Sequence, residues 1–308
     1  MKDRGYAMST LFTPYIDVTI NALWSDWQYY PDGRPNSLYS KQAVEWGVSG
    51  LIFGFITLSP SRKACWAAQD SMPLNWAVPL ANELNASNRD VVISFGGAAN
   101  SDISTAFSVQ ELISTYQQAI DEYHAAGLDF DLENGLYNVR NICQALSTIQ
   151  KNNPKVRLSF TLPTMPSGLT ATGLAIVQQA ADAKLDFIVN AMAMDYYDPQ
   201  YAHNMGLAAI DAAKSICAQL KNISIDGGYR KVAITPMIGL NDDLSIFKLA
   251  DATMLATFAK EQSLGFLGIW DFNRDNPSSY TYVDLTTSSN PEQKKSGEYC
   301  QYFVSGVK

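Results

Sequence analysis

Short runs of β-branched and aromatic residues alternate along the chain with longer stretches whose apolar positions recur every three or four residues. The runs occupy residues 15–19, 50–57, 91–97, 127–133, 157–162, 187–194, 232–237 and 265–271. A short, near-continuous apolar run suits a strand covered on its outer face, and the 3.6-residue period that follows each run suits an amphipathic helix. The runs start roughly 30–45 residues apart, the length of one strand, one helix and two loops. Eight such units predict an α/β fold whose parallel strands close into a (β/α)8 TIM barrel, a single domain. An open doubly wound sheet is the alternative. It usually has fewer strands and a glycine-rich nucleotide loop, and no G-x-G-x-x-G occurs here.

Local punctuation supports this division. Ser108-Val109-Gln110-Glu111 is a capping box that starts a helix, and Gly127 reads as that helix's C-terminal stop. Leu112, Tyr116, Ala119 and Tyr123 give the helix one apolar stripe, and Ile142, Ala145, Leu146 and Ile149 repeat the pattern over residues 141–150. Pro73 and Pro79 interrupt the segment after Trp66, so the second helix is expected to start late. No Pro/Ser/Gly-rich linker divides the chain. The expected organisation is an N-terminal tail over residues 1–10 and one barrel over residues 11–308.

Composition narrows the partners. Of the 308 residues, 47% are hydrophobic and 17% charged, with a formal net charge of -8. That balance argues against a nucleic-acid or anionic-membrane partner, because phosphates attract a basic surface, and it leaves a neutral substrate unopposed. No run of about 18 apolar residues is present to cross a bilayer. Residues 1–10 lack the apolar centre of a secretory signal. Cys65, Cys143, Cys217 and Cys300 are scattered without C-x-x-C pairing, and Cys143 and Cys217 read as free thiols buried in helices. His124 and His203 lack ligand spacing, so no metal is expected, and nothing marks an organic cofactor.

The chemistry concentrates in Gly127-Leu128-Asp129-Phe130-Asp131-Leu132-Glu133. Strand side chains alternate, so the three acids share one face while Leu128, Phe130 and Leu132 take the other. The apolar face must meet the outer helices, which turns the acids toward the barrel axis, spaced ~7 Å along the strand. Three carboxylates cannot all ionise in a low-dielectric interior, so at least one should hold a proton near neutral pH. No basic residue follows until Arg140 to make the run a structural ion-pair cluster. A protonated Glu133 at the outer end suits proton donation to a leaving glycosidic oxygen. Asp131 is too close for an inverting base, which requires roughly 6.5–9.5 Å between carboxyl groups, and could instead steady a positive charge forming on the substrate.

This run resembles the D-G-x-D-x-D-x-E signature of glycoside hydrolase family 18, especially its bacterial chitinases, with Ala126 in place of the first Asp. Ser94-Phe95-Gly96-Gly97 is similar to that family's S-x-G-G motif. Asn190-Ala191-Met192-Ala193-Met194-Asp195-Tyr196 is similar to its M-x-Y-D region, and Gly268-Ile269-Trp270-Asp271 to its subsite-floor strand. The matches fall in order on the expected strands across nearly the whole chain.

The resemblance implies a chitinase that hydrolyses β-1,4-linked N-acetylglucosamine polymers with retention, assisted by the substrate. Glu133 would be general acid and then base, Asp131 would hold the acetamido N–H, and Asp129 would share a proton with Asp131. Asp195 would lie beside the acetamido group. Tyr196 is the candidate for the hydroxyl that the family pattern places at Met194. Trp270, Ser94, Gly96, Gly97 and Met192 would border the substrate, with plain barrel core as the bland reading of Met192 and Met194.

Sugar rings stack on aromatic faces, so the loop carrying Trp24, Trp27, Tyr29 and Tyr30 reads as part of the cleft, with Trp27 foremost. Trp66 could extend the cleft or pack within its own loop, whereas Trp46 and Trp76 read as core. Asp17 could join a polar network below Asp129. Asn241, Asp242 and Asp243 fall at the active end, where capping of the next helix is the expected role for at least one of them. The implied partner is chitin or chito-oligosaccharide, acted on by a monomer whose substrate class suggests an extracellular location. Two alternatives stand beside it: an endo-β-N-acetylglucosaminidase cutting N-glycans, which would use the same acids, and a non-catalytic chitin-binding protein, a class that usually lacks the terminal Glu present here as Glu133.

Overall fold

The computed structural model describes residues 10–308, so the expected N-terminal tail lies, Thr10 apart, outside the described residues. Eight parallel strands form the inner wall: β1 (Tyr15–Asp17), β2 (Gly50–Leu58), β3 (Asp90–Gly96), β4 (Gly127–Asp131), β5 (Arg157–Met165), β6 (Ile188–Ala193), β7 (Val232–Pro236) and β8 (Phe266–Leu267). Each pairs with its sequence neighbour. The circle closes where Thr13 N–H meets the Leu267 carbonyl at 2.7 Å, Tyr15 N–H meets the Ile269 carbonyl at 3.0 Å, and Leu267 N–H meets the Leu11 carbonyl at 2.8 Å. The outer ring holds α1 (Leu38–Trp46), α2 (Val78–Ala86), α3 (Val109–Tyr123), α4 (Val139–Asn152), α5 (Ala171–Asp182), α6 (Met205–Asn222), α7 (Leu249–Gln262) and α8 (Glu298–Val307). The expected (β/α)8 barrel is the observed fold.

The alternation of β4 explains the division between wall and interior. Leu128, Phe130 and Leu132 are fully buried against the helices. Phe130 lies between Phe95 and Phe160 at 5.6 and 5.7 Å, with the Tyr116 ring of α3 edge-on at 5.3 Å. Each such ring contributes roughly 1.5–3 kcal/mol of burial. With that face committed outward, the acids of β4 have nowhere to point but inward.

Some local expectations change. The helix of the Ser108 capping box ends at Tyr123, with His124 rather than Gly127 taking the left-handed cap at φ 47°. Gly127 instead opens β4, where an added Cβ would come within 3.1 Å of the Arg157 carbonyl. The segment after Trp66 does start its helix late, with Pro79 in the first turn. Trp66 belongs to the core, its indole N–H meeting the Leu74 carbonyl and the Tyr123 hydroxyl, both at 3.1 Å. Trp46 and Trp76 are core as read from the sequence.

Beyond β8 the chain makes a buried polar turn. Asp271 Oδ1 accepts the Arg274 N–H at 3.0 Å. The Arg274 guanidinium, 2% exposed, donates to the carbonyls of Ile238, Leu240 and Asp284 at 2.8–3.0 Å. It thus fastens the segment after β7 and the loop after β8 to the end of the barrel. Burial outweighs the nearby Arg274 charge and raises the Asp271 carboxyl from 3.8 to about 7. Asp275 rises to about 6, again through burial.

Because folding raises these values, the native state keeps protons that the unfolded chain releases between about pH 4 and 7. That contribution to stability is therefore present at low pH and lost as pH rises through the window. The melting temperature of the wild type should fall relative to that of Asp271→Asn between pH 4 and 7.5. Parallel pH curves for the two proteins would contradict the assignment.

Candidate active site

At the C-terminal mouth of the barrel, the strand ends enclose a cleft of about 180 Å³. Asp131, Glu133, Asp195 and Asp242 supply its acids, Tyr15, Thr161 and Thr235 its hydroxyls, and Met192, Met194, Met237, Phe55, Ala98 and Trp270 its apolar wall.

Below the cleft, Asp129 is fully buried and its carboxylate accepts four hydroxyl protons. Oδ2 receives Ser94 at 2.6 Å and Tyr15 at 2.9 Å, while Oδ1 receives Ser159 at 2.6 Å and Thr161 at 2.7 Å. The register dictates this, since Asp129 sits opposite Ser94 on β3 and Ser159 on β5. Asn190 on β6 donates to the Tyr15 and Thr161 hydroxyls at 3.1 and 3.0 Å and accepts from Thr235 at 3.0 Å. Six strands thus meet in one polar layer. Burial raises the Asp129 carboxyl, and its four hydroxyl partners pull the other way by stabilising the anion.

Asp131 and Glu133 form the next layer. Asp131 is displaced well upward, first by burial, then by the charges of Glu133 and Asp129. Glu133 is raised by burial and by the charge of Asp195, while its hydrogen bond with Asp131 pulls it down. One proton between the two carboxyls relieves both. Regular strand pairing ends at Asp131, although the Leu132 N–H still meets the Thr161 carbonyl at 3.0 Å, so Glu133 follows from the strand end. Asn134 fixes the segment just beyond Glu133 by donating to the carbonyls of Gly97, Ala98 and Asn100 at 2.9–3.2 Å. Asp131 Oδ1 is buried with no hydrogen-bonding partner among the described residues.

Ser94, Gly96 and Gly97, expected beside the substrate, lie beneath or behind the cleft wall. Gly96 (φ 101°) passes over Asp131, where a Cβ would stand 2.1 Å from its carbonyl oxygen. Gly97 (φ 92°) leaves room for the Phe55 ring, which stacks on Trp270 at 5.6 Å and 22°. Trp270 and Met192 do line the cleft. Tyr196 does not: it is buried against Tyr201 at 5.7 Å, its hydroxyl unpaired, because Asp195 and Tyr197 turn the chain left-handed on either side of it. Trp27 also lies off the cleft lining and is 62% exposed. Asp17 joins no network with Asp129, since its Oδ1 accepts the Thr19 N–H and hydroxyl. Tyr15, Thr161, Asn190 and Thr235 escaped the sequence reading. Their signal was hydroxyl and amide residues on the inward face at the level of Asp129, visible only once strand register is known.

A closed barrel with a carboxyl pair sharing a proton beside an aromatic wall has the equipment to protonate and cleave a sugar linkage. The chain belongs to glycosyl hydrolases family 18, whose pattern matches residues 20–241. It superposes on the catalytic domain of a hyperthermophilic chitinase from Pyrococcus furiosus with TM-score 0.83 and 30% identity, covering 97% of this chain and 95% of that one. It is 27% identical to Endochitinase 11 of Metarhizium anisopliae over 305 residues, 90% of this chain and 55% of the relative. It is also 27% identical to a probable bifunctional chitinase/lysozyme of Escherichia coli K12 over 87% of this chain and 31% of the relative. The chain thus spans about half or less of the length of these curated relatives.

Removing the Asp129 charge should lower the Asp131 titration midpoint, because that charge helps hold the Asp131 proton. Carboxyl-carbon NMR of the wild type and Asp129→Asn measures the midpoint directly, and an unmoved Asp131 would count against the coupled ladder.

Proposed function

We propose that this chain is a chitinase that hydrolyses β-1,4-linked N-acetylglucosamine polymers by substrate-assisted, retaining catalysis. The observation that carries the reading is the Asp131–Glu133 pair: burial at the cleft raises both carboxyls, and Asp131 keeps a buried oxygen with no partner among the described residues. An unpaired buried acceptor is costly until something donates to it. The N–H of an acetamido group is such a donor.

In this mechanism Glu133 gives its proton to the leaving glycosidic oxygen. The acetamido oxygen of the sugar attacks the anomeric carbon, closing an oxazolinium ring as the C–O bond breaks. Asp131, released from its proton-sharing partner, accepts the acetamido N–H and balances the positive ring. Asp129, its carboxyl held by four hydroxyls below, disfavours that anion until the positive ring forms above it. Asp195 flanks the acetamido group. Glu133, now a base, takes a proton from water as it reopens the ring with overall retention. The sugar being cleaved lies against the face of Trp270. The related Pyrococcus furiosus structures include catalytic-site mutants complexed with chito-oligosaccharides, a ligand class that suits this cleft. No cofactor is needed. We extend the reading to a monomer acting outside the cell, where an insoluble polymer is met.

Glu133→Gln should lower kcat on a chromogenic chitobioside by about 10³-fold or more with little change in KM, within the range for loss of a general acid. Undiminished turnover would end the assignment of Glu133. NMR of chito-oligosaccharide digestion at early times should show β-anomer product, and an initial α-product would overturn the mechanism. Release of short oligomers from colloidal chitin with no action on high-mannose glycoprotein favours chitinase over the N-glycan-cleaving alternative.

A further inference from the structure

Asp195 reaches the cleft from an uncommon backbone. Its φ is 49°, and that of Tyr197, two residues on, is 52°, so two non-glycine residues on the same short segment are left-handed. Each such residue costs roughly 1–2 kcal/mol and persists only where neighbours enforce it. The enforcement comes from the turn after β7. Asn241 Oδ1 accepts the Asp195 N–H at 3.3 Å, Asp243 Oδ2 accepts the Tyr197 N–H at 3.1 Å, and the Asp242 N–H returns to Asp195 Oδ1 at 2.7 Å.

The expected helix-capping role for this trio is not what the structure shows. The first turn of α7 is capped instead by Asp251, whose Oδ2 accepts the Lys248 N–H at 2.7 Å. Asn241 is fully buried and its side chain is spent entirely on this arrangement. Both amide protons go to backbone carbonyls, Met237 at 2.9 Å and Gly239 at 3.1 Å, which leaves Oδ1 aimed at Asp195. Met237 itself lines the cleft. The Asn241 amide therefore joins the end of β7 to the Asp195 backbone.

We propose that Asn241 is a positioning residue, which sets the Asp195 carboxylate against Glu133 and so controls where Glu133 holds its proton. The inference rests on the hydrolase reading of Glu133 given above. An aspartate would keep the shape of Asn241 but lose one or both donors to the two carbonyls. An alanine loses every bond. The ionisable groups lining the cleft with Glu133 are Asp131 on its own chain segment, Tyr15 on β1, Asp195 after β6 and Asp242 after β7. The Asp195 charge is the one whose position Asn241 governs, and that charge helps hold the Glu133 proton.

The test compares Asn241→Ala, Asp195→Asn, the double variant and Glu133→Gln in the full chain on a soluble chito-oligosaccharide. Asn241→Ala should lower kcat about 10- to 100-fold, the scale of a displacement near 1 Å, with a smaller effect on KM. It should also move the alkaline limb of kcat/KM to lower pH. Asp195→Asn should move that limb the same way, and the double variant no further than Asp195→Asn alone.

A merely structural role would lower thermal stability and leave the limb in place. A folded Asn241→Ala with the wild-type limb, or a double variant whose shifts add, would overturn the proposal. If Asn241→Ala does not fold, Asn241→Ser serves: it leaves a polar group in the buried site but lacks the amide that spans the β7-end carbonyls and the Asp195 N–H, and the same outcomes decide. Glu133→Gln separates the two readings. Full activity there removes the acid assignment, whereas an inactive Glu133→Gln beside an unshifted Asn241 variant removes only the positioning role.

Discussion

One buried carboxyl underlies the site. Asp129 lies at the barrel axis with no cation near it among the described residues, and four hydroxyls from β1, β3 and β5 stand in for water around it. Hydrogen bonds to a charged acceptor contribute roughly 1.5–3 kcal/mol each, enough to offset much of the desolvation cost that raises it. Negative charge held there makes a second charge directly above it unfavourable. The proton excess is therefore pushed upward into the Asp131–Glu133 pair, where substrate can receive it. Changing Ser94 or Ser159, which do not line the cleft, alters the acid there without touching substrate.

The barrel supplies what that arrangement requires. A closed parallel sheet with helices outside excludes water from its interior, so the electrostatic interactions of the acid ladder are weakly screened. The same closure aligns neighbouring strands, so Ser94, Asp129 and Ser159 fall side by side. The phenylalanines on the outward face of β3, β4 and β5 lock the orientation, since turning the acids outward would expose three rings and strand three charges against apolar helices.

Two layers of support therefore surround the chemistry. Beneath it, hydroxyls and the Asn190 amide hold the Asp129 carboxyl. Beside it, loops fix the chain in conformations it would not choose alone: Gly96 and Gly97 crossing Asp131, Asn134 pinning the segment just beyond Glu133, and the 241–243 turn gripping Asp195. Arg274 fastens the loop after β8 to the segment following β7, next to Trp270. Left-handed backbone and buried polarity meet at the mouth, where Gly96, Gly97, Asp195 and Tyr197 all have positive φ.

The eight-unit barrel, the inward face of Asp129 and Asp131 and the core roles of Trp46 and Trp76 were legible in the sequence, because strand alternation and helical period are local and the core follows them. The cleft position of Trp270 was legible from its motif at the end of the last strand. Other features were not. Tyr196 is carried away from the cleft by the left-handed turns on either side of it. Tyr15 and Asn190 join the acid layer through strand register. Asn241 does not cap a helix, because its partner Asp195 lies on another strand end, 46 residues earlier. Periodicity determines which face a side chain occupies, whereas which distant groups it meets depends on closure of the barrel and on loop backbones set by contacts that no local pattern encodes.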